Sequence, residues 1–454
     1  MANSNGGIWT AGSYSKVLPG AYFNIKSAPS TSSDIASKGT VALIYDIAIP
    51  SASVDTVDGE ALYGKFIEIG KSDYISGAFA DVLGFGSSDS DAYILNQIFN
   101  YAITAQVLPA YTWVADVADV DTTVASSTKA WTLISSTVSA GSAVYVYEKI
   151  VATTKTTRTI TWTGTKVDLD KFIQELYNVN FDVAVVDTKT EFSTSQEIQS
   201  LVAAIVDLRN NYGKQVKCVV SQDIADTDTA SGLWYVNKVH NIINFLDGDG
   251  IVRDAYVWAC IVAAMDAGAL YNESNTAKVI TGMVKLCDEA GIGFNPYVST
   301  AISGKDTQSL EEEVSAGFFA PCYRDDGVLM VCSDRNALTE DIVFNGYNIN
   351  SDIFAKNRPT RVISQLITDM SLKWKNTFMG KVTNNAKNRD IFKAYCINYL
   401  EKIQANDGIE NFDRNNDIQV LPCPDTSKKD AVVMNIFVQP LDSMEKLYGT
   451  FTVA

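Results

Sequence analysis

Few residues in this 454-residue chain could do chemistry, and they are scattered. There is one histidine, His240, in the run Val239-His240-Asn241-Ile242-Ile243-Asn244-Phe245, whose alternation has strand character. A Ser-His-Asp or Cys-His centre would have to use it, yet no acid or nucleophile stands near it at a suggestive spacing. Its expected role is structural or at the surface. The seven cysteines stand singly with no C-x-x-C, which argues against a disulfide framework and against a zinc site. Cys218 and Cys260 lie inside apolar runs and read as small buried hydrophobes. Asp247-Gly248-Asp249-Gly250 and Asp413-Arg414-Asn415-Asn416-Asp417 look superficially like calcium loops. The first lacks the repeated acidic ligands and the second has Ile418 where the loop needs glycine, so both read as acidic turns. Gly84-Phe85-Gly86 has no third glycine opening a helix, and a dinucleotide site is unsupported. Glu311, Glu312 and Glu313 fit the N-terminal half of a helix beginning near Asp306, where negative charge is favourable. The expectation is no catalytic residue, no metal and no cofactor: a protein that is not an enzyme.

Composition says what kind of body must hold these residues. With 46% hydrophobic and 20% charged residues, the chain has the makings of a soluble globular protein with ample core. Its length suggests about three domains. A formal charge of −17 argues against nucleic-acid binding and fits a surface that stays soluble at high concentration. No apolar run approaches the ~20 residues needed to cross a bilayer, so no membrane insertion is expected. Met1-Ala2-Asn3-Ser4-Asn5-Gly6-Gly7 has no secretory pattern, which leads us to expect synthesis in a cytoplasm. Charge is uneven: Ser351 to Glu410 holds ten basic and six acidic residues, net +4, so the rest carries −21.

Periodicity divides the chain into six stretches. Residues 1–20 read as an extended arm, glycine-rich and with Ile8, Trp9 and Tyr14 as isolated large apolar groups. In 21–110, strands are expected at Ala21–Lys26, Val41–Tyr45 and Phe66–Ile69, and an amphipathic helix from Asp91 to Ala105. Residues 111–165, dense in Thr, Val and aromatics, suggest a small inserted antiparallel β module. In 166–350, strands at Asp182–Val186 and Val216–Val220 flank a helix from Thr194 to Tyr212, the grammar of a βαβ unit with parallel strands. A helix near Asp254–Leu270 is apolar nearly all round, and Phe318-Phe319 with Gly327–Cys332 suggests a hairpin. In 351–430, helices are expected over Arg361–Trp374 and Arg389–Ile403. In 431–454, Val432–Val438 and Leu447–Val453 alternate like strands, and the last of these needs a sheet edge to pair with. The fold class expected is α/β and β multi-domain: a central α/β domain with parallel strands, a small inserted β module, and an α+β C-terminal domain with extended N- and C-terminal arms.

Five segments carry a resemblance, in order along the chain. They are Gly6-Gly7-Ile8-Trp9-Thr10 with Lys16–Tyr22, Ala267–Ser274, Lys356-Asn357-Arg358 with Arg361, Gly380-Lys381-Val382-Thr383-Asn384-Asn385 followed by Arg389, and Pro440–Tyr448. Together they resemble the contractile tail sheath proteins of simple phages and phage-tail-like bacteriocins, almost end to end, with Asn357, Arg358, Gly380, Lys381, Asn384 and Asn385 as motif positions. The module at 111–165 carries no family tag. The central domain of this family is sometimes called subtilisin-like, which names a fold; one histidine leaves no triad for proteolysis.

The resemblance implies a virion tail or tail-like particle, assembled in the host cytoplasm. Copies of the chain would stack in rings around an inner tail tube, with baseplate and terminator proteins as further partners and no direct contact with nucleic acid. Contraction would drive the tube through the target envelope. The N-terminal arm (Ile8, Trp9, Thr10, Tyr14, Val17) and the C-terminal arm (Leu447, Tyr448, Phe451, Val453) would add strands to neighbours. Because the family's C-terminal domain faces the tube, Lys373, Lys375, Lys381 and Lys393 are the candidates to meet an acidic tube surface. Another self-assembling tube or surface-layer subunit would explain the composition and arms but not the ordered tags. An α/β enzyme would explain residues 182–332 only.

Overall fold

The computed structural model describes residues 6–7, 21–22, 39–47, 53–83, 85–139, 141–187, 195–222, 233–241, 243–287, 310–344 and 347–446. They fall into two units, one of residues 42–99 and 103–180, the other of the remaining segments.

In the first unit, β1 (Thr40–Tyr45, entering at Ala42), β2 (Ile67–Gly70) and β3 (Thr104–Pro109) lie in the order β1-β3-β2. Strands β2 and β3 are antiparallel, with Ile67 opposite Val107 and Gly70 opposite Thr104. Leu43, Ile69, Val107 and Leu108 are buried, as are Leu95 and Ile98 of helix α1 (Tyr93–Phe99), which packs against β3. This helix is much shorter than the periodicity from Asp91 to Ala105 predicts. The backbone of Ile103 and Thr104 is claimed by β2 instead, with the Lys71 N–H donating to Ile103 O at 2.9 Å. Buried Ala105 continues the helical spacing for a different reason: it is part of strand β3.

Residues 111–166 form one long hairpin of β4 (Tyr111–Ser139) and β5 (Ser142–Lys166). A two-stranded ribbon of that length buries little unless it curls. Three register irregularities bend it, and its tip returns to its base, where the Gly164 N–H donates to Gly141 O at 2.9 Å. Ala143, near the tip, thereby packs into one cluster with Trp113, Ala115, Ile160 and Trp162. Gly164 is required here, because a Cβ would sit 2.8 Å from the Trp113 ring. The outward side chains Val120, Leu133 and Ile134 are exposed. Helix α2 (Leu169–Leu176) follows, capped by Asp168, which accepts from the Lys171 N–H at 2.8 Å.

The second unit is built on parallel strands β6 (Val183–Val185), β7 (Lys217–Gln222) and β8 (Val236–His240), with β7 in the middle. Cys218 stands opposite both Ala184 and Val236. Helices α3 (Ser195–Asn210) and α4 (Ala255–Gly268) pack against them, which is why the strands read as unbroken apolar runs. Helix α4 is buried at Ala255 and from Val257 through Ala267, and is capped by Asp254, which accepts from the Tyr256 and Val257 N–H groups. The alternating run around His240 is not one strand: β8 ends at His240, and β9 (Asn244–Asp247) pairs antiparallel with β10 (Met283–Cys287) in a separate sheet. Helix α5 (Leu310–Ser315) precedes the hairpin of β11 (Pro321–Tyr323) and β12 (Leu329–Val331). Phe318 and Phe319, expected in that hairpin, lie before it: the Phe319 N–H donates to Lys238 O of β8 at 2.8 Å, and both rings are buried.

Helix α6 (Asn357–Lys373) begins four residues before the predicted start and runs into a π turn, Trp374–Phe378. Pro359 is tolerated because it falls in the first turn, where no N–H is needed. Helix α7 (Ala386–Ala405) and the antiparallel pair β13 (Ile418–Pro422) and β14 (Val432–Ile436) complete a core of Val362, Leu366, Met370, Phe392, Tyr399, Leu400, Ile403 and Ile418. Gly6–Gly7 pairs in parallel with Ala21–Tyr22. Ile8, Trp9, Thr10, Tyr14 and Val17, and Leu447, Tyr448, Phe451 and Val453, lie outside the described residues.

Candidate functional site

The buried charges converge where α6 meets the parallel sheet. Lys217 opens β7, Asn237 lies in β8, Asp266 near the end of α4, Asp334 after β12, and Asn357 and Arg361 in the first turns of α6. All six are at least 94% buried. Lys217 Nζ donates to both Asp266 oxygens, at 2.8 and 3.1 Å, and to Asn357 Oδ1 at 2.9 Å. Arg361 donates to Asp266 Oδ1 at 2.6 Å, to Asp334 Oδ2, and to Glu273 O at 2.8 Å. Asn357 Nδ2 donates to Asn237 Oδ1 and Asp334 Oδ1, each at 3.0 Å, and Asn237 Nδ2 donates to Asp266 at 2.8 Å.

Two cations face two carboxylates, so the junction is neutral. Burial pushes the Asp266 carboxyl up, but Lys217 and Arg361 pull harder and hold it down at about 2. Burial draws the Lys217 ammonium down to about 8 against the pull of Asp266, and Arg361 is held above its ordinary range by Asp334 and Asp266. Lys217, Asp266 and Arg361 are thus charged at neutral pH. Every hydrogen bond named here joins groups of the chain itself, and the junction offers no nucleophile. What it can do is fix α6 against β7, β8 and α4.

The other motif positions also hold backbone. Arg358 donates to Asn272 O and Asp407 O at 2.9 and 2.8 Å, tying the loop after α4 to the loop after α7. Gly380 takes φ +69°, a left-handed turn that favours glycine. Asn384 Nδ2 donates to Lys429 O at 2.8 Å and Ala431 O at 3.0 Å, and its Oδ1 accepts from Arg389 at 2.8 Å. Asn385 caps α7, accepting from the Asn388 N–H at 2.9 Å. Past β14, the Leu441 N–H donates to Gly408 O at 3.0 Å, and Glu445 accepts from Thr276 Oγ1 at 2.6 Å and pairs with Lys356. The chain leading to the expected C-terminal arm is thus anchored beside the junction.

Of the basic candidates, Lys381 is exposed, though its Nζ also donates to Asn376 O; Lys393 is partly exposed; and Lys373 lies 4.5 Å from the centre of the Tyr395 ring. Lys375 is half-buried, which lowers its pKa. His240 is buried and contacts Glu313 through Nδ1. That corrects the reading of Glu311–Glu313 as helix decoration: α5 exposes Glu311 and Glu312 but buries Glu313 against the histidine. Asp247 accepts from the Asp249 and Ile251 N–H groups and from Arg253, closing its turn from within. Among the described residues no group of His, Cys, Asp and Glu is placed to hold a metal ion.

Comparison with known proteins adds the family. A profile of the phage tail sheath protein central domain matches residues 163–293, and one of the phage tail sheath C-terminal domain matches residues 350–454, together just over half of the chain. The chain belongs to the phage tail sheath family. Two Bacillus subtilis proteins are similar to it: the uncharacterized protein YqbK, 26% identical over 63% of this chain, and the phage-like element PBSX protein XkdK, 23% identical over 62%. The sheath chain spans only 56% and 54% of the length of these two relatives. Its fold is similar to that of the sheath tail protein of Desulfitobacterium hafniense, with a TM-score of 0.60 at 21% identity over 95% of this chain and 99% of the other. It is also similar to the helical sheath protein of the anti-feeding prophage in its contracted state, with a TM-score of 0.56 at 11% identity over 96% and 99%. The mixed α/β, multi-domain architecture is that of sheath proteins.

Proposed function

We propose that the chain is a structural subunit that polymerises helically with its own copies around an inner tail tube, in an extended state, and contracts to drive that tube through a target envelope. On this reading it has no catalytic activity, its tube, baseplate and terminator contacts are protein contacts, and it is assembled in the host cytoplasm. The observation that carries the reading is the β13–β14 sheet. Among the described residues it holds two strands only, backed by the α6–α7 core, with outer edges that offer backbone N–H and C=O groups. A sheet edge of this kind is completed by strand addition, and the arms at 1–20 and 447–454 are the segments this chain could lend to a neighbour. The buried charge junction supports the same reading, because a subunit that passes load from its C-terminal sheet to its central domain needs that joint to be stiff.

Negative-stain imaging of the purified full chain tests it. Long, striated, hollow tubes are expected. Thin smooth tubes or flat sheets would favour another assembly protein, and dispersed globular particles at every concentration would overturn the proposal.

A further inference from the structure

Cys322 lies in β11, and Cys332 is the first residue past β12. Cys322 stands opposite Met330, and the Cys332 N–H donates to Ala320 O at 2.9 Å. With a side-chain period of two, both thiols therefore project from the same face of the hairpin as a diagonal pair. Placed so, the two thiols are neighbours that act on each other's ionisation. Cys322, more than any other cause, pulls the Cys332 thiol below its ordinary range; burial and Glu445 oppose it, and Lys356 assists. Cys332 in turn, with burial, pushes the Cys322 thiol far up. Cys322 is buried and Cys332 is partly exposed, so the thiol with more thiolate character is also the one a reagent can reach. The buried Cys218 shows the opposite: burial alone pushes its thiol up to about 12.

We propose that Cys322 and Cys332 are a redox-active pair that closes to an intramolecular disulfide when the subunit meets an oxidised low-molecular-weight disulfide. The Cys332 thiolate attacks one sulfur of that disulfide, forming a mixed disulfide and releasing one small thiolate. Cys322 gives up its proton to solvent, and its sulfur attacks Cys332 Sγ, expelling the second small thiolate. Two protein thiols are oxidised by two electrons, and one small disulfide is reduced to two thiols. A diagonal pair must draw its strand ends together to bond, so the bridge forms under strain and a reductant reopens it readily. The chain bends away from β12 at Cys332. Ser333, the next residue, accepts from Lys356, which also pairs with Glu445. Closure therefore bears on the anchor of the segment that leads to the C-terminal arm.

The test incubates the purified full chain with oxidised glutathione and follows thiol titration and peptide mapping. Wild type is expected to lose two thiols and yield a linked peptide containing Cys322 and Cys332, both reversed by dithiothreitol. Cys322→Ser is expected to stop at a glutathione adduct on Cys332, and Cys332→Ser to react at least tenfold more slowly. An unchanged wild-type thiol count would overturn the proposal. So would wild type that stops at an adduct, or a Cys322→Ser/Cys332→Ser variant that still loses two thiols.

Discussion

At Asp266 two cations converge on one carboxylate in the interior, and the arrangement fixes how the protein should respond to substitution and to acid. Replacing it by Ala leaves Lys217 and Arg361 buried with one carboxylate between them. We expect a loss of ~3–5 kcal/mol, read from urea unfolding. Because its pKa is held at about 2 in the folded chain, below the ordinary 3.8, the stability it contributes is full above pH 3.8 and is lost as pH falls towards 2. That limb is worth about 2 kcal/mol and should flatten in Asp266→Asn. Part of the junction was legible in the sequence: Asn357 and Arg361 stand in a family motif. Lys217, Asn237, Asp266 and Asp334 were missed, since no periodicity joins positions 217, 237, 266, 334 and 361. A signal was available in composition, because Asp266 is the one charged residue in the otherwise apolar helix Ala255–Gly268. Such a residue must find a cation. Glu313 escaped for the opposite reason, hidden in a run of three glutamates that looks solvated.

Elements follow local sequence where local forces decide them. Helices α6 and α7 and strands β6, β7 and β14 fall close to their predicted places, because each carries an apolar stripe or run that the core then buries. The sequence misleads where distant backbone intervenes, as at Ile103 and Thr104, which complete β2 instead of extending α1. The curl of the β4–β5 hairpin was not legible at all. It joins Gly141 to Gly164 and Ala143 to Trp113, contacts that depend on the summed effect of three register irregularities. The turn into α7 shows an element held by two side chains of one motif, Asn384 and Asn385. Asn385→Ala removes the cap of a twenty-residue helix and should cost ~1 kcal/mol, measurable as a lower denaturation midpoint with helical content retained.

At the scale of the whole molecule, surfaces act by repetition. Exposed ion pairs are worth ~0–1 kcal/mol each and are screened by salt, so contacts between the basic residues and an acidic tube would matter only as a sum over many subunits. Lys381→Glu with Lys393→Glu should weaken co-assembly with the tube at low salt while sparing sheath-only polymers. Pelleting assays with and without tube protein check this, and unchanged tube association would refute the inward assignment. Strand exchange by the arms, as proposed, would act more strongly. A strand lent to a neighbour adds hydrogen bonds of ~1 kcal/mol each and buries alternate side chains, Leu447, Phe451 and Val453 or the opposite set, at ~1.5–3 kcal/mol each. On the proposed reading these terms belong to the contact between subunits and not to the subunit's own core. The most direct measurement is therefore sedimentation with thermal melting of two deletants, one lacking residues 1–18 and one truncated after Lys446. Strand exchange predicts that both remain soluble, melt cooperatively and no longer form long tubes. Full-length tubes from the arm-less chain, or an unfolded monomer from the truncation, would contradict it.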